Sequence, residues 1–107
     1  MRYIFIIGMT IVILGCSANT MRTATITEAY KEFKSEDYEE TLELITLAEN
    51  IKGITPEIKA ELTYLKAQTY EKLGEHDKAA TLYTYLSDQH ANSQYGYLAA
   101  KKLPLQP

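Results

Sequence analysis

The chain has 107 residues, 46% of them hydrophobic and 23% charged, the balance of an ordinary globular domain, which excludes a disordered or collagen-like polymer. Eleven Lys and Arg against fourteen Asp and Glu leave a formal charge of -3 and a pI near 5.3, so the basic footprint expected of a nucleic-acid binder is missing. A single cysteine, Cys16, excludes an intramolecular disulfide framework and a Cys-rich zinc cage.

The first element is an address. Arg2 supplies a short positive region, and Tyr3 to Leu14 form a twelve-residue apolar run broken only by Gly8 and Thr10. A bilayer-spanning helix needs about 20 apolar residues and a signal-peptide core roughly 7 to 15, so the length fits export. The run ends in Ile13-Leu14-Gly15-Cys16. This resembles the lipobox of bacterial lipoproteins, with an aliphatic residue at -3, a small one at -1 and the modified cysteine at +1, although Leu14 at -2 is bulkier than usual. The resemblance implies a cleaved signal peptide over residues 1–15 and a Cys16 acylated, with palmitate among the expected chains, as the new N-terminus. The mature chain would then carry ten basic and fourteen acidic groups, a net charge of -4. Ser17 in place of Asp resembles the signal that sorts lipoproteins to the periplasmic face of the outer membrane in a Gram-negative host. The other reading keeps Cys16 as an idle thiol behind an ordinary signal peptide or an uncleaved anchor. Residues 16–25 hold the lipidated cysteine and a small, polar stretch that reads as a tether.

From Ile26 onward there is no period-two alternation, and glycine occurs only at Gly53, Gly74 and Gly96, where helices would start or stop. The pattern predicts an all-α domain over residues 26–103 and a tail at 104–107. Five helices are expected: about 26–34, 37–51, Thr55 to Leu73, 75–90 and 93–103. Thr55-Pro56-Glu57 is a good start, since Thr caps, Pro has the φ of a first turn and Glu favours the positive end of the dipole. Gly74 stands where a left-handed residue ends the third helix, with Lys72 in its last turn. Pro104 stops the fifth.

Superposing Ser35-Glu36-Asp37-Tyr38 and the Thr41 that follows on the stretch from Gly74 to Ala79 pairs Thr41 with Ala79 and sets two copies thirty-eight residues apart. The second copy carries Ala67, Tyr70, Leu73-Gly74, Ala79, Tyr83 and Leu86; the first carries Ala29, Tyr38, Thr41, Ile45 and Ala48. The spacing resembles the tetratricopeptide repeat, in which small residues let two antiparallel helices approach and aromatic ones fill the space between. Thr63 replaces the family's large aromatic, and the interval exceeds the usual one, which puts the extra residues around Asn50 to Pro56. His90-Ala91-Asn92-Ser93-Gln94-Tyr95 with the helix after it looks like the close of cell-envelope repeat proteins of the BamD and Tol-Pal coordinator types, with Ala91 where those have Pro. The resemblance implies about two repeats plus a C-terminal capping helix.

Catalytic motifs are missing. His76 and His90 stand at opposite ends of one predicted helix, about 21 Å apart at 1.5 Å per residue, too far to share a metal. No nucleophile elbow, zincin, P-loop or dinucleotide-binding pattern occurs. The acidic groups Glu36-Asp37-Glu39-Glu40 and Glu75-Asp77 fall at helix starts, where carboxylates complement the dipole. No enzyme, metal or cofactor is expected.

In the repeat register, Glu61, Tyr64, Gln68, Glu71 and Lys72 belong to the face lining a concave groove, and Tyr30, Phe33 and Lys34 are their counterparts in the first copy. Such mixed aromatic and charged strips suit an extended peptide or a partner helix; the alternative is that Tyr64 and Tyr30 pack against a neighbouring helix. Leu42 and Leu47 form a second candidate patch. Two repeats fall short of the three or so that make a stable array, which predicts self-association or docking on a larger assembly. The reading is a membrane-anchored adaptor and scaffold for protein binding. The runner-up is an accessory lipoprotein for assembly of an outer-membrane, pilus or secretion complex.

Overall fold

Five α-helices and no strand make up the described residues of the computed structural model, which cover the backbone over 2–104 and side chains over 18–104. They are α1 (Arg2–Lys34), α2 (Tyr38–Asn50), α3 (Pro56–Lys72), α4 (His76–Gln89) and α5 (Gln94–Lys102). The side chain of Cys16 lies outside the described residues.

Three helix starts have a side-chain cap. The carboxylate of Asp37 accepts from the Glu40 amide at 3.2 Å, the Thr55 hydroxyl from Ile58 at 3.2 Å, and the Ser93 hydroxyl from Gly96 at 3.0 Å. These occupy amides that the first turn leaves without intrahelical acceptors. Helix α4, preceded by Glu75, has no side-chain cap bond. Two helix ends share one geometry. After α3, the Glu75 amide reaches Tyr70 O at 2.9 Å and the Gly74 amide reaches Glu71 O at 3.0 Å, with Gly74 at φ +78. After α1, Asp37 reaches Glu32 O at 2.9 Å and Glu36 reaches Phe33 O at 3.1 Å, with Glu36 at φ 64. Both are Schellman turns, but the one after α1 places a glutamate where the left-handed backbone favours glycine.

The same interval of thirty-eight residues recurs inside the domain. Ala29 and Ala67, Ile45 and Tyr83, and Ala48 and Leu86 are all fully buried, as are Thr41 and Ala79. Arg22 lies near one end of the first helix pair and Phe33 with Tyr38 at the other, while Arg22 bonds to Lys52 beyond α2, so α1 and α2 run antiparallel. Tyr64 meets Tyr83 and Tyr70 meets Lys78, which makes α3 and α4 antiparallel in the same sense. Helix α3 sits between the pairs. Ala60 and Ala67 join a cluster with Ala79, Tyr83, Leu86 and Ala99, while Leu62 and Leu65 join one with Ala29, Ile45 and Ala48. A helix buried on two sides has no single apolar stripe, which is why α3 reads as polar and apolar by turns.

One expectation is corrected. The stretch 17–25, expected as a tether outside a first helix starting at 26, is helical. Three threonine hydroxyls bond back along the helix, Thr23 to Asn19 O at 3.0 Å, Thr25 to Met21 O at 2.8 Å and Thr27 to Thr23 O at 2.9 Å. Arg22 is buried there, with its guanidinium on the Lys52 carbonyl and on Asn19 Oδ1 at 3.4 Å. Packing therefore overrides the weak helix propensity of Ser, Asn and Thr. Gly96 stands in the first turn of α5, near the helix start as expected, and it is buried there: a Cβ would overlap the His90 carbonyl and stand 2.9 Å from Leu86 O.

Gly96→Ala should therefore destabilise the domain by about 2 kcal/mol or more through overpacking. Gly74→Ala, with open space around its Cβ, should cost only the left-handed penalty of about 1 kcal/mol, and Glu36→Gly should recover a similar amount. Urea denaturation of the three variants checks the order; a Gly96→Ala no weaker than Gly74→Ala would contradict the close approach.

Candidate functional site

The face shared by α1, α3 and α5 collects most of the residues expected to line a groove. Tyr30 on α1 donates its hydroxyl to Glu61 Oε1 on α3 at 2.9 Å. One turn further along α3, Tyr64 packs edge-on against Tyr83 at 5.7 Å between ring centres and tilted against Tyr95 of α5 at 5.8 Å. Two turns on, Glu71 accepts a hydrogen bond from the Tyr83 hydroxyl and faces Lys102 Nζ of α5 at 3.6 Å. Phe33 sits at the first turn, its ring 5.6 Å from Tyr38. Gln68 is half-buried, and Lys34 and Lys72 are exposed.

Tyr64 and Tyr30 thus pack against neighbouring helices of the same chain, the alternative reading of those residues. Half-buried carboxylates are costly unless bonded, and here a tyrosine hydroxyl answers each one. Burial first, and the Glu61 carboxylate second, push the Tyr30 hydroxyl well above its ordinary pKa of 10.0; burial and then Glu71 do the same to Tyr83. Tyr95 is raised by burial and by Glu61.

The repeat-signature residues fall between the helices. Ala67, Ala79, Tyr83 and Leu86 are fully buried, Tyr70 packs at the edge of that cluster with Lys78 Nζ 5.4 Å from its ring centre, and Gly74 makes the turn. Leu42 and Leu47 do not form one patch. Five residues apart, they diverge by more than a quarter-turn: Leu42 lines a cleft between α2 and the α3–α4 turn with Tyr70 and Leu73, while Leu47 is 59% exposed.

Three participants escaped the sequence reading. Lys102 pairs with Glu71 across α3 and α5, a contact between residues far apart in the chain. Tyr97 is 60% exposed with Lys101 Nζ 4.4 Å above its ring. Arg22 is the third; its one signal is that it is the only charged residue among the small ones at 17–25. Among the described residues no group of three or more His, Cys, Asp and Glu is placed to hold a metal ion, and no helix is long and apolar enough to cross a membrane.

Comparison with family models, curated proteins and solved structures returns no match for this chain.

A tyrosine whose folded-state pKa is raised adds stability that is complete below its unfolded value and is lost as pH climbs past it. The urea midpoint should therefore hold steady from neutral pH and fall above about pH 10. The double variant Tyr30→Phe, Tyr83→Phe should fall less steeply. An alkaline limb identical in both proteins would contradict the tyrosine–carboxylate pairing.

Proposed function

We propose that this chain is a lipid-anchored, tetratricopeptide-like adaptor of the bacterial cell envelope whose work is to hold a protein partner rather than to turn over a substrate. The observation that carries the reading is the helix hairpin repeated at thirty-eight residues. Both copies bury small residues at the helix crossing, Ala29 with Thr41 and Ala67 with Ala79, and both close on the same left-handed turn. This pattern resembles the packing logic of the tetratricopeptide repeat, in which the residue types between the helices are fixed by space and those on the faces are free to recognise. The Ile13-Leu14-Gly15-Cys16 motif supports the anchor and the envelope location.

The partner contact belongs on α5. Helix repeats stack, so the last helix presents outward the side on which a further helix would pack. Here that side carries Tyr97, Leu98 at 37% exposure and Lys101, spaced as one stripe. An aromatic anchor beside an aliphatic residue and a cation suits a partner helix with an apolar face and an acidic edge. The concave face contributes its exposed lysines, Lys34 and Lys72.

Mass spectrometry of protein purified from host membranes should find an acylated Cys16 as the N-terminus, absent in Cys16→Ser. A photo-crosslinker replacing Tyr97 should give one discrete protein adduct that excess unlabelled domain suppresses, while the same group replacing Lys31 gives none. An intact Met1 with a free thiol would refute the anchor, and equal labelling from both positions would refute the adaptor face.

A further inference from the structure

With α1 unbroken from Arg2 to Lys34, nothing flexible separates Cys16 from the domain, and Arg22, six residues on, is already buried within it. At 1.5 Å per residue those six residues span about 9 Å, whereas Lys34, at the far end of the helix, is about 27 Å from Cys16. Helical side chains lean toward the N-terminus, so the guanidinium of Arg22 reaches back toward Cys16. There it binds the Lys52 carbonyl, and Gly53, at φ +84, brings the turn so close that an added Cβ would stand 3.3 Å from Arg22 Nη2. The turn after α2 is thereby clamped to the anchored end of α1.

We propose that this end of the domain, made by the turn 51–55 and the first turn of α3, lies against a lipid headgroup surface and is held there in one orientation by α1 and the Arg22 clamp. The proposal rests on the membrane-anchored reading above, and it holds whether acyl chains on Cys16 or the apolar run itself enters the lipid, because both place the lipid boundary next to residue 16. The up-and-down order of the helices brings the end of α2, the start of α3 and the end of α4 to this side. Met21 is 60% exposed here, and Lys52 and Lys59 are exposed as well. Glu57 and Asp88 balance the two lysines, so geometry and not attraction to anionic lipid makes the contact, which should be insensitive to salt. The α1–α3–α5 face and the outer stripe of α5 then open sideways along the membrane plane, toward partners that also sit at that surface.

The test uses full-length protein with its native N-terminal modification in phosphatidylcholine vesicles that carry headgroup nitroxides. A fluorophore is attached at Lys52→Cys or, at the opposite end of α3, at Lys72→Cys. Quenching should be severalfold stronger at position 52, unchanged between low and high salt, and the difference should vanish when a flexible Gly-Ser linker is inserted between Ser17 and Ala18. Equal quenching at the two positions on vesicle-bound, helical protein would overturn the fixed orientation while leaving the anchor intact. Protein that does not float with the vesicles and carries an unmodified Cys16 would overturn the anchored reading and this inference with it.

Discussion

Helices can share a core this small only where their backbones come close, and in this chain side chains with almost no bulk are buried on each helix of both pairs. Ala29 and Thr41 are buried in one pair and Ala67 and Ala79 in the other, and Gly96 lies against the His90 carbonyl. Once the backbones are that near, larger residues on the same seams, Ile45 in one pair and Tyr83 and Leu86 in the other, have just the space left for them. Interiors packed to crystal-like density tolerate neither a void nor an extra methyl. The two seams are not independent, because α3 supplies Leu62 and Leu65 to one cluster and Ala60 and Ala67 to the other. Neither helix pair keeps its core without α3, which couples the repeats into one unit.

The parts of this architecture written locally in the chain were legible from residues alone. Asp37, Thr55-Pro56 and Gly74 announce helix ends because capping chemistry depends on a few neighbouring atoms, and the small–large spacing of each seam survives in the sequence because both helices of a pair are adjacent in it. What was not legible depends on contacts made at long range. Nothing in Glu36 suggests a left-handed residue; its geometry follows from the turn that α1 and α2 require. The stretch 17–25 has the composition of a linker, and only the Lys52 carbonyl waiting thirty residues later makes it worth extending the helix past Arg22. Gly96 marks the first turn of α5 as glycine near a boundary does, but nothing local shows that a neighbouring backbone occupies the place of its Cβ. The register put Tyr64 on the right face, but whether that face was open depended on where α5 came to rest.

The contrast between the two surfaces of the array carries the functional argument. On the α1–α3–α5 face, Glu61 and Glu71 are already answered by Tyr30, Tyr83 and Lys102, so a ligand approaching either carboxylate must displace a hydroxyl or an ammonium group that is in place before it arrives. That exchange returns little net free energy, since one hydrogen bond replaces another. On α5, by contrast, Tyr97 and Leu98 are exposed, and Lys101 over the Tyr97 ring is a weak, solvent-screened contact. Covering that stripe removes apolar surface from water, which is where association gains most of its free energy, and it costs little because no strong internal bond has to break. On the adaptor reading proposed above, the recognition surface falls on the exposed stripe of α5 because the α1–α3–α5 face is already satisfied from within the chain.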